Sequence, residues 1–138
     1  MPVLTPAESR ERFLAERVAR LATVSGDGVP HLVPLVFAAA GPDVLVSAVD
    51  HKPKRTSSLR RLANIGENPE VSLLTDRYDE DWSQLWWARA DGVATVLPAD
   101  ESTPELDALV ARYGQYRDRR PQGPVIIVRV RRWSGWSA

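Results

Sequence analysis

The sequence predicts a mainly β chain, a six-stranded antiparallel barrel decorated by three short helices. Two observations carry that prediction. Short β-branched runs of partly alternating polarity are bounded by Gly, Pro, Asn and Asp. The helical stretches between them are few and do not alternate regularly with the strands, as a parallel βαβ sheet would require. A chain of 138 residues can bury one core, so one domain is expected.

The elements follow in order. In TPAESRERFLAERVARL, Thr5 is a helix cap, Pro6 suits the first helical position and Glu8 completes a capping box, which predicts a short helix to about Glu16. VARLATV and VPHLVPLVF then read as a hairpin joined by Ser25-Gly26-Asp27-Gly28, which supplies residues tolerant of positive φ. Pro34 cannot donate to a ladder, so it requires an edge, a bulge or a backbone left open for a ligand. VLVSAV forms the third strand. A helix is expected from Thr56 to Asn64, with Leu59, Leu62 and Ala63 on one face. After Asn68-Pro69, EVSLLTD is the fourth strand, Asp76 to Asp81 an acidic connection, and Trp86 to Leu97 the fifth strand. Thr103 and Pro104 open a third helix carrying Leu106, Leu109, Val110 and Tyr113 at helical spacing. Tyr116 to Gly123 reads as a solvated loop, and PVIIVRVRRWSGW as the closing strand.

Composition removes several function classes. Formal net charge is zero, so global charge offers no attraction for nucleic acid, and the one basic run is short and offset by the acidic DRYDED segment. No nucleic-acid partner is expected. Cysteine is absent, which excludes disulfides, thiolate catalysis and thiolate metal sites. His31 and His51 lie in different elements without metal-ligand spacing or a nucleophile motif, and are read as structural or peripheral. The N-terminal stretch lacks the apolar core of a signal peptide, and no later stretch approaches a membrane span. A cytoplasmic protein without membrane insertion is expected.

One stretch stands apart. DHKPKR holds both lysines of the chain, Lys52 and Lys54, although Lys and Arg together number 18. No acid occurs between Asp50 and Glu67. The stretch runs from a strand end into a helix start, where free N–H groups and the helix dipole favour an anion. Lys52, Lys54 and Arg55, with the hydroxyls of Thr56 and Ser57, would make a phosphate pocket. The same charges would also serve a solvated strand–helix loop.

The order of elements, with VPHLVPLVF, VLVSAVDHKPKR, LRRLANIGENPEVSLL and YDEDWSQLWWARADGVA, resembles the split β-barrel flavin-binding superfamily related to pyridoxamine 5'-phosphate oxidase. It is most similar to the actinobacterial branch that uses the deazaflavin coenzyme F420. The resemblance runs from about Glu11 to Trp133. It implies a homodimer with the cofactor in a groove at the interface. It implies further that Val33, Pro34, Leu35 and Val36 border the ring, that Ser47, Ala48 and Val49 lie beside the ribityl chain, and that Lys52, Lys54, Arg55 and Thr56 hold the phosphate.

Trp86 and Trp87 match a strand that approaches the cofactor. Alternation puts them on opposite faces, and Trp87 is assigned to the groove. Trp82, Trp133 and Trp136 are read as interface or core aromatics. The implied activity is hydride transfer between F420 and a small organic acceptor, with no dedicated catalytic acid or base and Tyr78 as a possible proton source. FMN is the alternative cofactor, and a carrier without turnover the alternative role. RRWSGWSA offers no match to the substrate-binding end of the vitamin-oxidising enzymes, which argues against pyridoxine phosphate as substrate.

Overall fold

The structure is a computed structural model that describes residues 3–49 and 56–138. Helix α1 (Pro6–Ala15) begins with the expected capping box: the Thr5 N–H donates to Glu8 Oε1 (2.8 Å), and the Glu8 N–H donates to Thr5 Oγ1 (3.1 Å). The Thr5 N–H holds the Glu8 carboxyl below its ordinary range. Strands β1 (Val18–Val24) and β2 (Pro30–Val36) form the hairpin. Its turn closes through the Gly28 N–H on the Ser25 carbonyl (3.0 Å), with Gly28 at φ +85°.

Then come β3 (Ala38–Ala39), β4 (Val44–Ala48), α2 (Thr56–Glu67), β5 (Glu70–Arg77), β6 (Trp86–Leu97), α3 (Thr103–Arg112), α4 (Gly114–Asp118) and β7 (Val125–Ser137). The seven strands lie in the order β2-β1-β5-β6-β7-β4-β3, every pairing antiparallel. Among the described residues seven strands replace the expected six, because beyond Phe37, where the expected second strand ends, the chain forms a further short strand. Before Phe37 the chain pairs with β1, and after it Ala38 and Ala39 pair with β4.

That change of partner curls the sheet into a barrel. At the seam Ser47 Oγ donates to the Val36 carbonyl (2.8 Å). The Phe37 backbone is held by side chains instead of a ladder: its N–H donates to Tyr113 Oη (3.2 Å), and its carbonyl accepts from Tyr113 Oη (2.7 Å) and Arg112 Nη1 (2.9 Å).

The Ser25 N–H donates to Val29, and counting along the β1–β2 register in twos puts Pro30 and Pro34 at non-hydrogen-bonded positions. Their ring nitrogens therefore face away from β1, on an edge strand, where a missing donor leaves no ladder bond unmade.

Two cores result. Inside the barrel Phe13, Phe37 and Trp133 pack ring on ring, with Phe13 centroids 5.0 Å from Phe37 and 5.4 Å from Trp133. Outside, α3 covers β4 and the start of β7 with Leu106 and Leu109 on Val46, Ala48, Val125 and Ile127.

The first helix ends at Ala15 with Glu16 as its cap, as expected. Two local expectations are corrected. The helix expected to end at Asn64 continues to Glu67; Leu62 packs on the core as expected, joined by Asn64 and Ile65, while Ala63 is exposed. Asn64 Nδ2 donates to the buried Thr23 Oγ1 (3.1 Å), so a polar residue is what the barrel end selects there. The Tyr116–Gly123 loop is helical up to Asp118, where Arg117 Nη1 returns to the Val110 and Ala111 carbonyls (3.0 Å each).

His31 faces Thr23 across the hairpin. Burial first, and then Arg60 and Arg61, hold its imidazole below its ordinary pKa, and its Nδ1 has no partner among the described residues. Below about pH 6.5 the unfolded chain therefore binds more protons at His31 than the folded one, and stability falls as pH drops through that window. Thermal melts of His31→Asn should lack that part of the acid slope, and a slope identical to wild type would contradict the assignment.

Candidate functional site

Among the described residues the barrel interior is packed too tightly for a ligand. A hollow there among Leu35, Phe37, Ser47 and Ile126 measures about 10 Å³, the room of a water molecule. A hollow of about 490 Å³ between the start of α3 and residues 120–124 is roomier, but its Arg120 is committed to Asp107 (2.9 Å) and to the Thr103 carbonyl (3.4 Å).

The outer face of β1, β2, β5, β6 and the end of β7 is different. Register brings Arg20, Leu74 and Arg89 side by side across β1, β5 and β6, and then Ser134 of β7. One row along, Asp76, Trp87 and Trp136 are neighbours. Two hollows lie on this face, of about 490 Å³ (Arg20, Leu32, Ser72, Asp76) and about 460 Å³ (Tyr78, Trp87, Arg132, Trp136). Arg89 lines both, so they form one groove. Its guanidinium sits 5.5 Å from the Trp87 ring and pairs with Asp91 (3.0 Å). Asp91 also accepts from Ser72 Oγ (2.5 Å), and Arg20 pairs with Asp76 (3.5 Å). Leu32, 67% exposed, forms an apolar lip on the edge strand.

The residues assigned from sequence divide between the two faces. Pro34 is exposed on the outer face and Val36 half-buried there, whereas Val33 and Leu35 point into the barrel core. Ser47 is buried at the seam with β2, Ala48 packs under α3, and the Val49 N–H donates to the Pro124 carbonyl (2.9 Å). Lys52, Lys54 and Arg55 lie outside the described residues, as does His51, and Thr56 opens α2. Trp87 lines the second of the two outer-face hollows, and Trp86 is buried on the other face, against Arg12 (5.4 Å).

Trp133 is a core residue whose Nε1 donates to Asp43 Oδ1 (2.9 Å). Trp82 is 76% exposed. Arg20, Leu32, Arg89 and Arg132 are groove residues not singled out in the sequence, and Trp136, read there as an interface or core aromatic, lines the groove with them. The signal was the alternation of Trp87, Arg89 and Asp91 against that of Arg132, Ser134 and Trp136, which gains meaning only once the two strands are in register.

The family described as "Pyridoxamine 5'-phosphate oxidase" matches residues 5–137. Among curated proteins, none matches the chain. Among solved structures, the chain is similar to a FAD-binding protein of Mesorhizobium loti (20% identity, 97% of this chain and 95% of that one, TM-score 0.72). It is similar also to the FAD-binding protein of Mycobacterium smegmatis (15%, 99% and 97%, 0.64). A third likeness is to HutZ, the heme storage protein of Vibrio cholerae (17%, 97% and 95%, 0.69). At these identities the likenesses show a shared fold.

Proposed function

Because the chain belongs to the pyridoxamine 5'-phosphate oxidase family, we propose that it binds a flavin-type cofactor in the outer-face groove and works as an F420-dependent reductase, with FMN as the alternative cofactor. The observation that carries the reading is the groove itself. It offers an indole platform at Trp87, a guanidinium at Arg89, and an edge strand whose Pro30 and Pro34 positions have no donors to pair. A flat tricyclic ring needs such a wall, and the packed barrel interior offers it none.

A bound reduced deazaflavin would supply hydride from its ring carbon C5. The chain's own residues bind, orient and exclude water. Pro34 and Trp87 border the ring, and Lys52, Lys54, Arg55 and Thr56 take the phosphate. No side chain is assigned as acid or base. The heme-storage neighbour suggests a second ligand class, but among the described residues the groove lining contains neither His nor Met to ligate iron. A second copy of the chain is proposed to cover the exposed Val18 and Leu32 and close the groove, giving a homodimer.

Lys52→Ala with Lys54→Ala should weaken F420 binding at least about tenfold, the scale of one lost charge-assisted contact, while leaving the melting temperature unchanged. Unchanged affinity would remove the phosphate assignment. Turnover of a panel of quinones, enones and nitro compounds by the protein with reduced F420 separates reductase from carrier, since binding without turnover would sink the enzymatic reading.

A further inference from the structure

We propose that the hollow between Trp87 and Trp136 binds a planar, conjugated carboxylate, which is the substrate class of the groove. The substrate role rests on the reading that the cofactor lies along the adjoining hollow beside Arg20 and Leu32, with the edge of its ring reaching Trp87, so that ring and substrate meet at that indole.

Three independent features define the ligand. The first is shape: Trp87 and Trp136 are directly opposed across β6 and β7 on one sheet face, both half-buried, so their indoles offer a broad apolar wall. The hollow of about 460 Å³ that they line is of small-molecule size.

The second feature is charge. Asp91 stands opposite Arg132 in register and two residues beyond Arg89 on β6, and its carboxylate is already taken by Arg89 (3.0 Å) and Ser72 (2.5 Å). Arg132 is exposed, lines the hollow and has no ion pair among the described residues. One guanidinium is thus left uncompensated at the open side, with a planar fork that matches a carboxylate.

The third is an orphaned donor. Ser134 lies opposite Arg89 and between Arg132 and Trp136 along β7, also lines the hollow, and its Oγ is buried with no hydrogen-bond partner among the described residues. A buried hydroxyl in that state favours a ligand that brings an acceptor oxygen. A neutral aromatic would meet the wall without using Arg132, and an aliphatic acid would meet Arg132 without using the wall. The combination selects molecules carrying both.

Binding of 2-naphthoate, 2-naphthamide and cyclohexanecarboxylate to the full chain, without cofactor, tests this by calorimetry. The naphthoate should bind about tenfold or more tightly than either of the others. Arg132→Gln should remove its advantage over the amide, and Trp136→Leu should weaken both aromatic ligands. Equal affinity for all three, no saturable binding, or an Arg132→Gln variant that discriminates like wild type would overturn the proposal. If F420 or FMN binds while naphthoate does not, the substrate class alone falls. If naphthoate binds and neither cofactor does, the carboxylate site is supported and the hydride-transfer reading fails.

Discussion

Gly92→Ala is expected to destabilise the protein by about 3 kcal/mol or more, a large share of the stability of a domain this size. A methyl group on Gly92 would stand 2.2 Å from the Arg129 carbonyl oxygen, 2.9 Å from its carbon and 3.0 Å from Val130 Cα. All three atoms are backbone of the adjacent strand, so no side-chain rotation relieves the clash. The crowding has a cause in the ladder. Arg132 faces Asp91 but Val130 faces Gly92, so β7 carries one extra residue, Arg131, at that point. The bulge draws the β7 backbone towards β6, and only a residue without Cβ fits opposite. A melting temperature lower by about 10 °C, or insoluble expression, is the expected readout. A variant that melts with wild type would show that the two strands separate there at little cost.

Arg112→Ala should cost about 2–4 kcal/mol, the scale of losing charge-assisted hydrogen bonds to buried partners. Its guanidinium donates to the carbonyls of Phe37 (2.9 Å), Leu14 (3.0 Å) and Glu16, and lies 4.8 Å from the Phe37 ring. It therefore ties the end of α3 to the end of α1 and to the kink where the sheet changes partner. Tyr113 serves the same kink, donating to the Phe37 carbonyl and to that of Arg17 (3.0 Å). Tyr113→Phe should be milder, and the double variant should cost clearly less or more than the sum, because both act on one carbonyl. Faster amide exchange at Phe37 and Ala38 in Arg112→Ala would localise the damage to the seam. Additive losses with no change in exchange there would argue that the two residues stabilise separate regions.

Local chemistry was legible in the sequence wherever neighbours in the chain decide the structure. Thr5 and Glu8 satisfy each other within one turn, Gly28 takes the positive φ its hairpin needs, and Pro34 announces an edge. The change of strand partner at Phe37 was not legible, because the groups that hold its backbone belong to Arg112 and Tyr113, 75 and 76 residues away. The resemblance sets Ala48 and Val49 beside the ribityl chain, and their packing under α3 and against the Pro124 carbonyl, which involves residues far along the chain, had no local signal.

The groove illustrates the same limit. Alternation separated Trp86 from Trp87 correctly, since it depends on one strand alone. Arg89, Arg132 and Trp136 required the β6–β7 register, including the one-residue shift between Asp91 and Gly92, which no local pattern reveals. The basic stretch pointed to an anion, but several phosphate-bearing cofactors share that chemistry. The choice of F420 over FMN therefore rests on the family resemblance.

Titration of the purified protein with F420 and, in parallel, with FMN measures the proposed function most directly, with bound fraction followed by calorimetry and quenching of tryptophan fluorescence reporting on Trp87. Saturable F420 binding at least about tenfold tighter than FMN, with the quenching lost in Trp87→Leu, is the expected result. Binding of neither cofactor would contradict a flavin-type site in the groove and leave the barrel without its proposed function.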